Sequence, residues 1–206
     1  MQEQFSCFRT FFSNEQKKFI VRNILFKFAV DESKIFSGNH TFSAKVAGHE
    51  LKGLKGYFQS QVEGLCYPLV ALLDYKGWRL VASSLLPISS STIVYGSNDA
   101  GMTIFNSNES IAKLVLEASE MLNLKPHLCK EKKDNLSKLC ATACDVEGHL
   151  GRDGRFYLID LSRVFPPTSP KRSKIPAHLF QLFRVEFLQT HPTPLCRSKK
   201  SFLFCF

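Results

Sequence analysis

The chain has 206 residues, of which 44% are hydrophobic and 22% are charged, a composition typical of a globular domain with its own core. It contains no run of 18 apolar residues, so we expect no transmembrane helix and no membrane insertion. The net charge of +9 lies mainly at the C-terminal end, because residues 164–206 carry seven Lys/Arg and one acid. Such an end contacts nucleic acid or anionic lipid in some proteins and is simply solvated in others.

The first half of the chain is predicted to contain two helices and a strand hairpin. Residues 13–31 are predicted to be a helix because their apolar side chains form one stripe. Residues 44–58 are predicted to be a second helix, and glycines within it are tolerated where another backbone approaches closely. Residues 67–75 and 78–88 read as strands around the Lys76-Gly77 turn. The first of these strands is apolar on both faces, as expected of a central strand.

The second half of the chain alternates short strands with two further helices. Asn108 is a suitable N-cap for the clearest helix. The predicted elements are strands 91–96, 102–105 and 124–129, a charged loop 130–138, a strand 155–161 after the turn 151–154, and helices 108–123 and 176–188. Because strands and helices are partly segregated, we predict an α+β fold of antiparallel hairpins packed with three to four helices.

The predicted domain organisation has three parts. Residues 1–12 form an N-terminal extension and residues 13–190 form the folded domain. Residues 191–206 are basic and apolar without a clean period, so we expect a disordered tail. Truncation after Thr190 is therefore expected to leave folding intact.

The seven cysteines show no CxxC pair and no repeated spacing. Cys140 and Cys144 are the nearest pair, and no matching His or Cys pair lies close to them in sequence. This pattern argues against both a zinc site and a disulfide framework. It predicts reduced thiols in a cytoplasmic protein, and the N-terminus has no continuous apolar segment of the kind found in secretory signals.

Acidic residues are concentrated in the stretch 143–167, around a predicted turn and strand. The candidates for chemistry here are Asp145, Glu147, His149, Asp153 and Asp160. In phosphoryl transfer, one Asp orients the nucleophile and a second holds Mg²⁺ at a strand end, roles that Asp145 and Asp160 would fill with Lys45 as the early lysine. However, no Gly-rich phosphate loop precedes Lys45, and no Asn stands at the second metal position.

Two other interpretations of this stretch remain open. A hard cation accepts such ligands, but the spacing does not fit an EF-hand. In the structural interpretation, the turn 151–154 joins two strands, His149 and Asp145 bond its backbone, and Asp160 pairs with Arg163. We regard the structural interpretation as the main one, with no catalytic residue and no metal site assigned.

The chain resembles the Clu domain of the clustered mitochondria protein family over about residues 13–190. The resemblance rests on "YPLVALLDYKGWRLVASSLLPI", "TIVYGSNDAG", "DVEGHLGRDGRFYLIDLSRVFPP" and "HLFQLFRVEFL", which occur in the family's order. It implies a cytoplasmic protein without enzymatic activity or cofactor that acts in mitochondrial distribution. It also implies binding of mRNAs for mitochondrial proteins, or of ribosomes and translation factors.

Full-length members of this family carry ubiquitin-like regions and a tetratricopeptide-type array, which this sequence lacks, so we expect a stand-alone or truncated domain. The residues proposed for binding are His149, Asp153, Arg155, Lys171, Arg172 and Lys174. Two alternatives remain. One is a distantly kinase-like phosphotransferase or nucleotide-binding domain that uses Asp145 and Asp160, and the other is a protein-interaction scaffold without RNA contact.

Overall fold

The structure is a computed structural model that describes residues 17–168 and 175–196. Within these ranges, eleven strands form three sheets, together with three α-helices and three 3₁₀ helices. The strands are β1 Lys18–Val21, β2 Ile24–Phe28, β3 Leu65–Cys66, β4 Val70–Tyr75, β5 Trp78–Ser84, β6 Ile93–Gly96, β7 Phe105–Asn106, β8 His127–Lys130, β9 Ser137–Cys140, β10 Glu147–Leu150 and β11 Phe156–Ile159. The α-helices are α1 His40–Gln59, α2 Glu109–Met121 and α3 Val185–Thr190, and the 3₁₀ helices are Ser90–Thr92, Leu161–Arg163 and Ala177–Leu179. The predicted α+β class is confirmed.

The sheets divide the described residues into two layers and one projecting hairpin. The first sheet has the strand order β1-β2-β5-β4 and is antiparallel throughout. The second has the order β3-β11-β10-β6-β7, and only its β3–β11 pair is parallel. Strands β8 and β9 form a separate two-stranded hairpin. Helix α1 packs against the first sheet and against the 3₁₀ helix Leu161–Arg163, so it joins the two layers.

The main hydrophobic core lies where α1 and α2 meet the second sheet. Tyr57 of α1, Ile111 and Val115 of α2, and Leu158 of β11 have no solvent-exposed surface. The Tyr57 hydroxyl lies 3.0 Å from the Ser119 hydroxyl, so the buried phenol is hydrogen-bonded. Full burial of one such side chain stabilises a fold by about 1.5–3 kcal/mol, so this cluster fixes the framework that carries the candidate sites.

Several local predictions are confirmed. The β4–β5 hairpin turns at Lys76 and Gly77, whose φ angles of 48° and 82° fit the type I′ turn favoured in two-residue hairpins. Helix α2 begins after Asn108, whose side-chain oxygen accepts hydrogen bonds from the backbone N–H groups of Ser110 and Ile111. Strand β6 pairs with β7, which overlaps the predicted strand 102–105 only at Phe105.

The predicted helix over residues 13–31 is wrong. Its described part forms the β1–β2 hairpin, which turns at Arg22 and Asn23. The segment is rich in Phe, Ile and Val, which favour strands. The Phe19 and Phe26 rings face each other across the pair and stack at 5.0 Å between centroids. Pairing with β5 in the first sheet therefore outweighs the helical spacing of the apolar residues.

Strand β4 lies at the edge of the first sheet, so its prediction as a central strand is wrong. Leu73 remains 42% exposed and Leu69, directly before the strand, remains 82% exposed. The apolar run is therefore only partly covered. A continuous apolar run indicates a strand buried on both faces only when other elements cover both faces of the sheet.

The predicted helix from Pro176 to residue 188 is interrupted. Leu182 forms an isolated antiparallel bridge with Pro167, beside which Thr168 N–H donates to the Gln181 carbonyl and Phe183 N–H donates to the Pro166 carbonyl, both at 2.9 Å. These bonds use backbone groups that a continuous helix would require. Only Ala177–Leu179 and α3 are helical.

The described structure also extends past residue 190, so the expectation of a disordered tail from residue 191 does not hold for residues 191–196. Leu195 is buried with 8% exposure, and its backbone exchanges hydrogen bonds with Asn123 and Lys125 at 3.1 and 2.8 Å. Residues 197–206 and the predicted extension 1–12 lie outside the described residues. No helix in the described ranges is long and apolar enough to cross a membrane.

Candidate functional site

The turn at residues 151–154 is a tight connection between β10 and β11. Gly151 N–H donates to the Arg155 carbonyl at 2.8 Å, and Gly154 adopts a φ of +77°, a conformation suited to glycine. Asp153 accepts hydrogen bonds from the Tyr157 hydroxyl at 2.7 Å and from Arg155 N–H at 3.3 Å. The Tyr157 hydrogen bond lowers the pKa of Asp153. Asp153 therefore stabilises the turn, while Arg155 is exposed beside it.

His149 is held inside the fold and is only 2% exposed. Its Nδ1 lies 3.0 Å from the Thr92 hydroxyl and its Nε2 lies 3.1 Å from Glu147 Oε2. His149 was predicted to hydrogen-bond the backbone of the turn, but its hydrogen-bond partners are these two side chains. With both ring nitrogens engaged and almost no exposed surface, His149 fixes β10 to the 3₁₀ helix before β6.

Three acidic side chains, Glu50, Glu147 and Asp160, form what we call the carboxylate cluster. Glu50, on α1, accepts a hydrogen bond from the backbone N–H of Leu161 at 2.9 Å. Asp160 follows β11 with a φ of 57°, a left-handed conformation that Asp tolerates better than most residues. The cluster thus joins α1, β10 and the end of β11.

Two carboxyl groups of the cluster, those of Glu50 and Asp160, hold protons more tightly than isolated acids. Desolvation by burial, and then the charge of Asp160, raises the pKa of Glu50 to about 7. Desolvation and the neighbouring Glu147 carboxylate raise the pKa of Asp160 to about 6. Asp160 is exposed at the end of β11, and the like charge of Glu147 also disfavours its ionised form. Lys27 of β2 partly offsets both effects.

Asp145 and Lys45 do not join this cluster through direct contacts. Asp145 forms an ion pair with Arg163, whereas the sequence analysis paired Arg163 with Asp160. The Lys45 ammonium lies 5.6 and 5.7 Å from the ring centroids of Phe42 and Phe180, a cation–π arrangement. Among the described residues, Lys45 forms no ion pair with an acid. The likeness to kinases therefore stays a prediction.

Metal binding by these acids has no geometric support within the described ranges. No group of three or more His, Cys, Asp or Glu side chains there is arranged to hold a metal ion. The contacts of the cluster are with Leu161 N–H, His149 and Lys27. What the arrangement can do is hold protons and fasten α1 to the second sheet.

A second candidate site is the exposed side of the β8–β9 hairpin, which the sequence analysis treated partly as a charged loop. Leu128 and Leu139 are paired across the hairpin and are 66% and 58% exposed. Lys130 lies on the same side of β8 by strand alternation, and Lys133 and Leu136 are exposed in the loop. We call these five residues the outer hairpin face. Leu128 and Lys130 share the exposed side of β8, so the apolar and polar alternation that usually indicates a half-exposed strand was absent from the sequence here.

The opposite side of this hairpin is fastened to the body of the domain. Glu131 is only 3% exposed and accepts a hydrogen bond from Ile104 N–H at 2.8 Å. Lys138 bonds the Ile104 carbonyl and lies 3.9 Å from Glu131 Oε1. The Lys132 ammonium donates to the Ala100 carbonyl at 2.8 Å. These contacts hold the hairpin in a defined orientation, so its outer face is presented on a rigid support.

The binding residues predicted from the sequence are not grouped with the outer hairpin face in the described structure. Lys171, Arg172 and Lys174 lie outside the described residues. His149 is buried and Asp153 stabilises a turn, so the structure does not gather the predicted binding residues into one surface. The exposed lysines of the β8–β9 hairpin form a basic surface that was not predicted from the sequence.

Comparison with known sequences assigns this α+β domain to a family. The clustered mitochondria family matches residues 2–169. Protein clueless of Drosophila willistoni is 33% identical over 163 residues, which cover 75% of this chain and 11% of that protein. The clustered mitochondria protein homolog of Danio rerio is 31% identical over 156 residues, 72% of this chain and 11% of that protein.

A plant relative shows the same similarity over a shorter region. The clustered mitochondria protein of Arabidopsis thaliana is 39% identical over 125 residues, 58% of this chain and 9% of that protein. The chain therefore belongs to the clustered mitochondria family. It spans about a tenth of the length of these curated relatives. No solved structure matches it.

Proposed function

We propose that this chain acts in the distribution of mitochondria as a non-enzymatic binding domain that contacts mRNA through the outer hairpin face. The domain would work in the cytoplasm, where thiols are reduced unless an oxidant is present. Membership of the clustered mitochondria family supports the mitochondrial role. The observation that supports RNA contact is the charge of the β8–β9 hairpin.

The exposed charges of the hairpin are strongly unequal in sign. Lys125, Lys130, Lys132 and Lys133 are exposed, and Asp134 is the exposed acid among residues 125–139. Glu131, the other acid of this segment, is turned inward to Ile104 and Lys138. The protein thus neutralises a negative charge inside the hairpin and leaves the positive charges facing solvent. A basic surface of this kind favours contact with phosphates.

The side chains of the outer hairpin face indicate how it would bind mRNA. Lysine ammonium groups contact phosphate oxygens as point charges and carry no sequence information by themselves. The face presents leucines and not aromatic rings, so it lacks the stacking platforms that hold bases in many single-strand binders. We therefore expect salt-sensitive binding with little sequence preference, and selection of particular messages would come from other parts of a longer protein.

A non-enzymatic role is consistent with the contacts of the acids. Asp145 is paired with Arg163, Asp160 is packed beside Glu147, and Lys45 lies over two phenylalanine rings. Each of the three residues considered for phosphoryl transfer thus has a structural partner. We propose that these contacts maintain the fold and that the hairpin performs the binding.

Charge reversal on the outer hairpin face tests this proposal. Lys130→Glu with Lys133→Glu should weaken crosslinking to poly(A) RNA. It should also reduce the slope of log K against log salt by about 1.4, since each single-strand phosphate contact contributes about 0.7. The matched control is Lys55→Glu with Lys113→Glu, which changes net charge equally on exposed positions of α1 and α2. The control should retain most of the affinity.

Two results would contradict the proposal. If both double variants weaken binding equally, the effect is one of net charge and the hairpin is not the contact surface. If the wild-type chain does not crosslink to RNA even at low salt, RNA binding is refuted for this chain. The second outcome would favour a protein-interaction scaffold, for which the exposed pair Leu128 and Leu139 is the supporting observation.

A further inference from the structure

Three cysteines meet between the inner side of the β8–β9 hairpin and the loop before β10. Cys129 of β8 lies within hydrogen-bonding reach of both Cys140 of β9 and Cys144 of the loop. Cys129 and Cys140 pack with Ile104 into a small apolar cluster, against which Cys144 also packs. We call Cys129, Cys140 and Cys144 the thiol cluster. No pairing pattern is evident in the sequence, because consecutive cysteines of this cluster are 11 and 4 residues apart.

Strand geometry explains why these thiols meet. Cys129 is paired with Lys138 and Cys140 with His127, so both cysteines lie on the inner side of the hairpin. Cys144 reaches them from a different segment, close to Gly101 in the preceding turn. The thiol cluster therefore bridges the hairpin and the rest of the domain. Its cysteines are not among the residues proposed to contact RNA.

The three thiols differ in their access to solvent and in their affinity for protons. Cys140 is 1% exposed and Cys129 is 9% exposed, whereas Cys144 is half-buried and offers the way in from solvent. The hydrogen bond from Cys129 lowers the pKa of Cys140. The hydrogen bond with Cys129, and then burial, raise the pKa of Cys144, so its exposure and not its acidity makes Cys144 the first thiol that peroxide meets.

We propose that Cys129 and Cys144 form a reversible disulfide when the chain encounters hydrogen peroxide, and that this bond ties the hairpin to the loop before β10. The Cys144 sulfur attacks one peroxide oxygen, an S–O bond forms, the O–O bond breaks and water leaves. The Cys129 sulfur then attacks the resulting sulfenic acid, the S–S bond forms and a second water leaves. Two thiols lose two electrons and two protons in total, and the peroxide is reduced to two waters. A small-molecule dithiol reverses the change.

Pairing of Cys129 with Cys140 is disfavoured by the register of the hairpin. The two residues are diagonal neighbours, and such neighbours in antiparallel strands have Cα atoms about 7–8 Å apart. A disulfide requires about 4.4–6.8 Å. Cys144 lies in a loop, where the backbone adjusts more easily than in a paired strand. Cys140 is therefore expected to remain a free thiol when Cys129 and Cys144 form the disulfide.

The experiment maps disulfides in the wild-type chain after titration with hydrogen peroxide. Trypsin releases Cys129 on the peptide 114–130 and releases Cys140 and Cys144 together on the peptide 139–152. Fragmentation of the linked pair should place the bond at Cys144, and Cys140→Ser should still form it. Cys66, a half-buried cysteine of β3, is the internal control. Because the two sulfurs are held together, Cys129 should be half-oxidised at a peroxide dose at least about tenfold below that for Cys66.

The mapping uses the unmodified chain, so it does not depend on whether a cysteine variant folds. A linkage of Cys129 to Cys140, links between separate chains only, or oxidation of Cys129 no earlier than of Cys66 would each overturn the proposal. Dithiothreitol should restore all three thiols, and failure to do so would refute reversibility. Hydrogen exchange of the β8 and β9 amides should slow in the oxidised form if the bond ties the hairpin down.

Discussion

Two glycines of α1, only five positions apart, should respond to the same substitution with opposite signs. Gly→Ala in a helix interior stabilises by about 1 kcal/mol because alanine loses less backbone entropy on folding. At Gly48, an added Cβ would meet no atom within 4 Å among the described residues outside its own helix backbone and chain neighbours. Gly48→Ala should therefore raise the free energy of unfolding by up to about 1 kcal/mol.

At Gly53 the same methyl group has no room. A Cβ there would lie 2.1 Å from the Leu161 carbonyl oxygen and 3.0 Å from the Val164 Cγ2. The Leu161 oxygen belongs to the backbone of the 3₁₀ helix packed on α1, so it cannot move alone. Forcing extra volume into such a contact costs about 1–3 kcal/mol. Displacement of Leu161 also weakens its hydrogen bond to Glu50, at a cost of about 1–3 kcal/mol.

Subtracting the helix gain of about 1 kcal/mol from a combined cost of about 2–6 kcal/mol leaves Gly53→Ala about 1–5 kcal/mol less stable than the wild type, and about 2–6 kcal/mol less stable than Gly48→Ala. Urea unfolding followed by the fluorescence of Trp78 measures both changes. A loss of 2 kcal/mol corresponds to a Tm about 4–8 °C lower for a domain of this size. If Gly53→Ala is as stable as Gly48→Ala, the close approach of α1 to Leu161 is refuted.

Two further changes test the carboxylate cluster and the C-terminal segment. The pKa of Glu50 is raised to about 7, so the stability it contributes is present below its ordinary value of 4.5 and is lost as pH rises through about 7. Glu50→Gln should therefore unfold at higher urea than the wild type at pH 8 and at about the same urea at pH 4. A lower midpoint for Glu50→Gln at pH 8 would contradict the raised pKa. Truncation after Thr190 removes buried Leu195 and its two backbone hydrogen bonds, so this chain should be at least about 2 kcal/mol less stable than a chain truncated after Cys196. Equal Tm values for the two truncated chains would show that Leu195 is not part of the core.

The stability tests and the binding tests are independent of each other. Gly48, Gly53 and Glu50 lie on α1, whereas the outer hairpin face projects from β8 and β9. Substitutions more than about 7–10 Å apart without shared partners usually have additive effects. A loss of RNA binding in the hairpin variants with an unchanged Tm would therefore identify a contact surface and not a folding defect.

Part of the candidate sites was accessible from the sequence. The acids around the turn 151–154 were found as a group, and the glycines of α1 were expected where another backbone approaches. The partner of those glycines, the 3₁₀ helix at Leu161, was not predictable. Glu50 and Leu161 are 111 positions apart, and no local pattern indicates that they meet. The β8–β9 hairpin was not predicted because its exposed side carries both leucines and lysines and so lacks an apolar and polar alternation.

The features that depend on neighbouring residues follow from the sequence alone. The Lys76-Gly77 turn, the Asn108 cap, the stripe of α2 and the α+β class follow from backbone preferences and from hydrogen bonds within a few residues. The tertiary structure decided whether the segment before residue 30 became a helix or a hairpin, which strand lay at an edge, and which acids and thiols met. These outcomes depend on burial against distant segments, and such packing outweighs local preferences of about 1 kcal/mol.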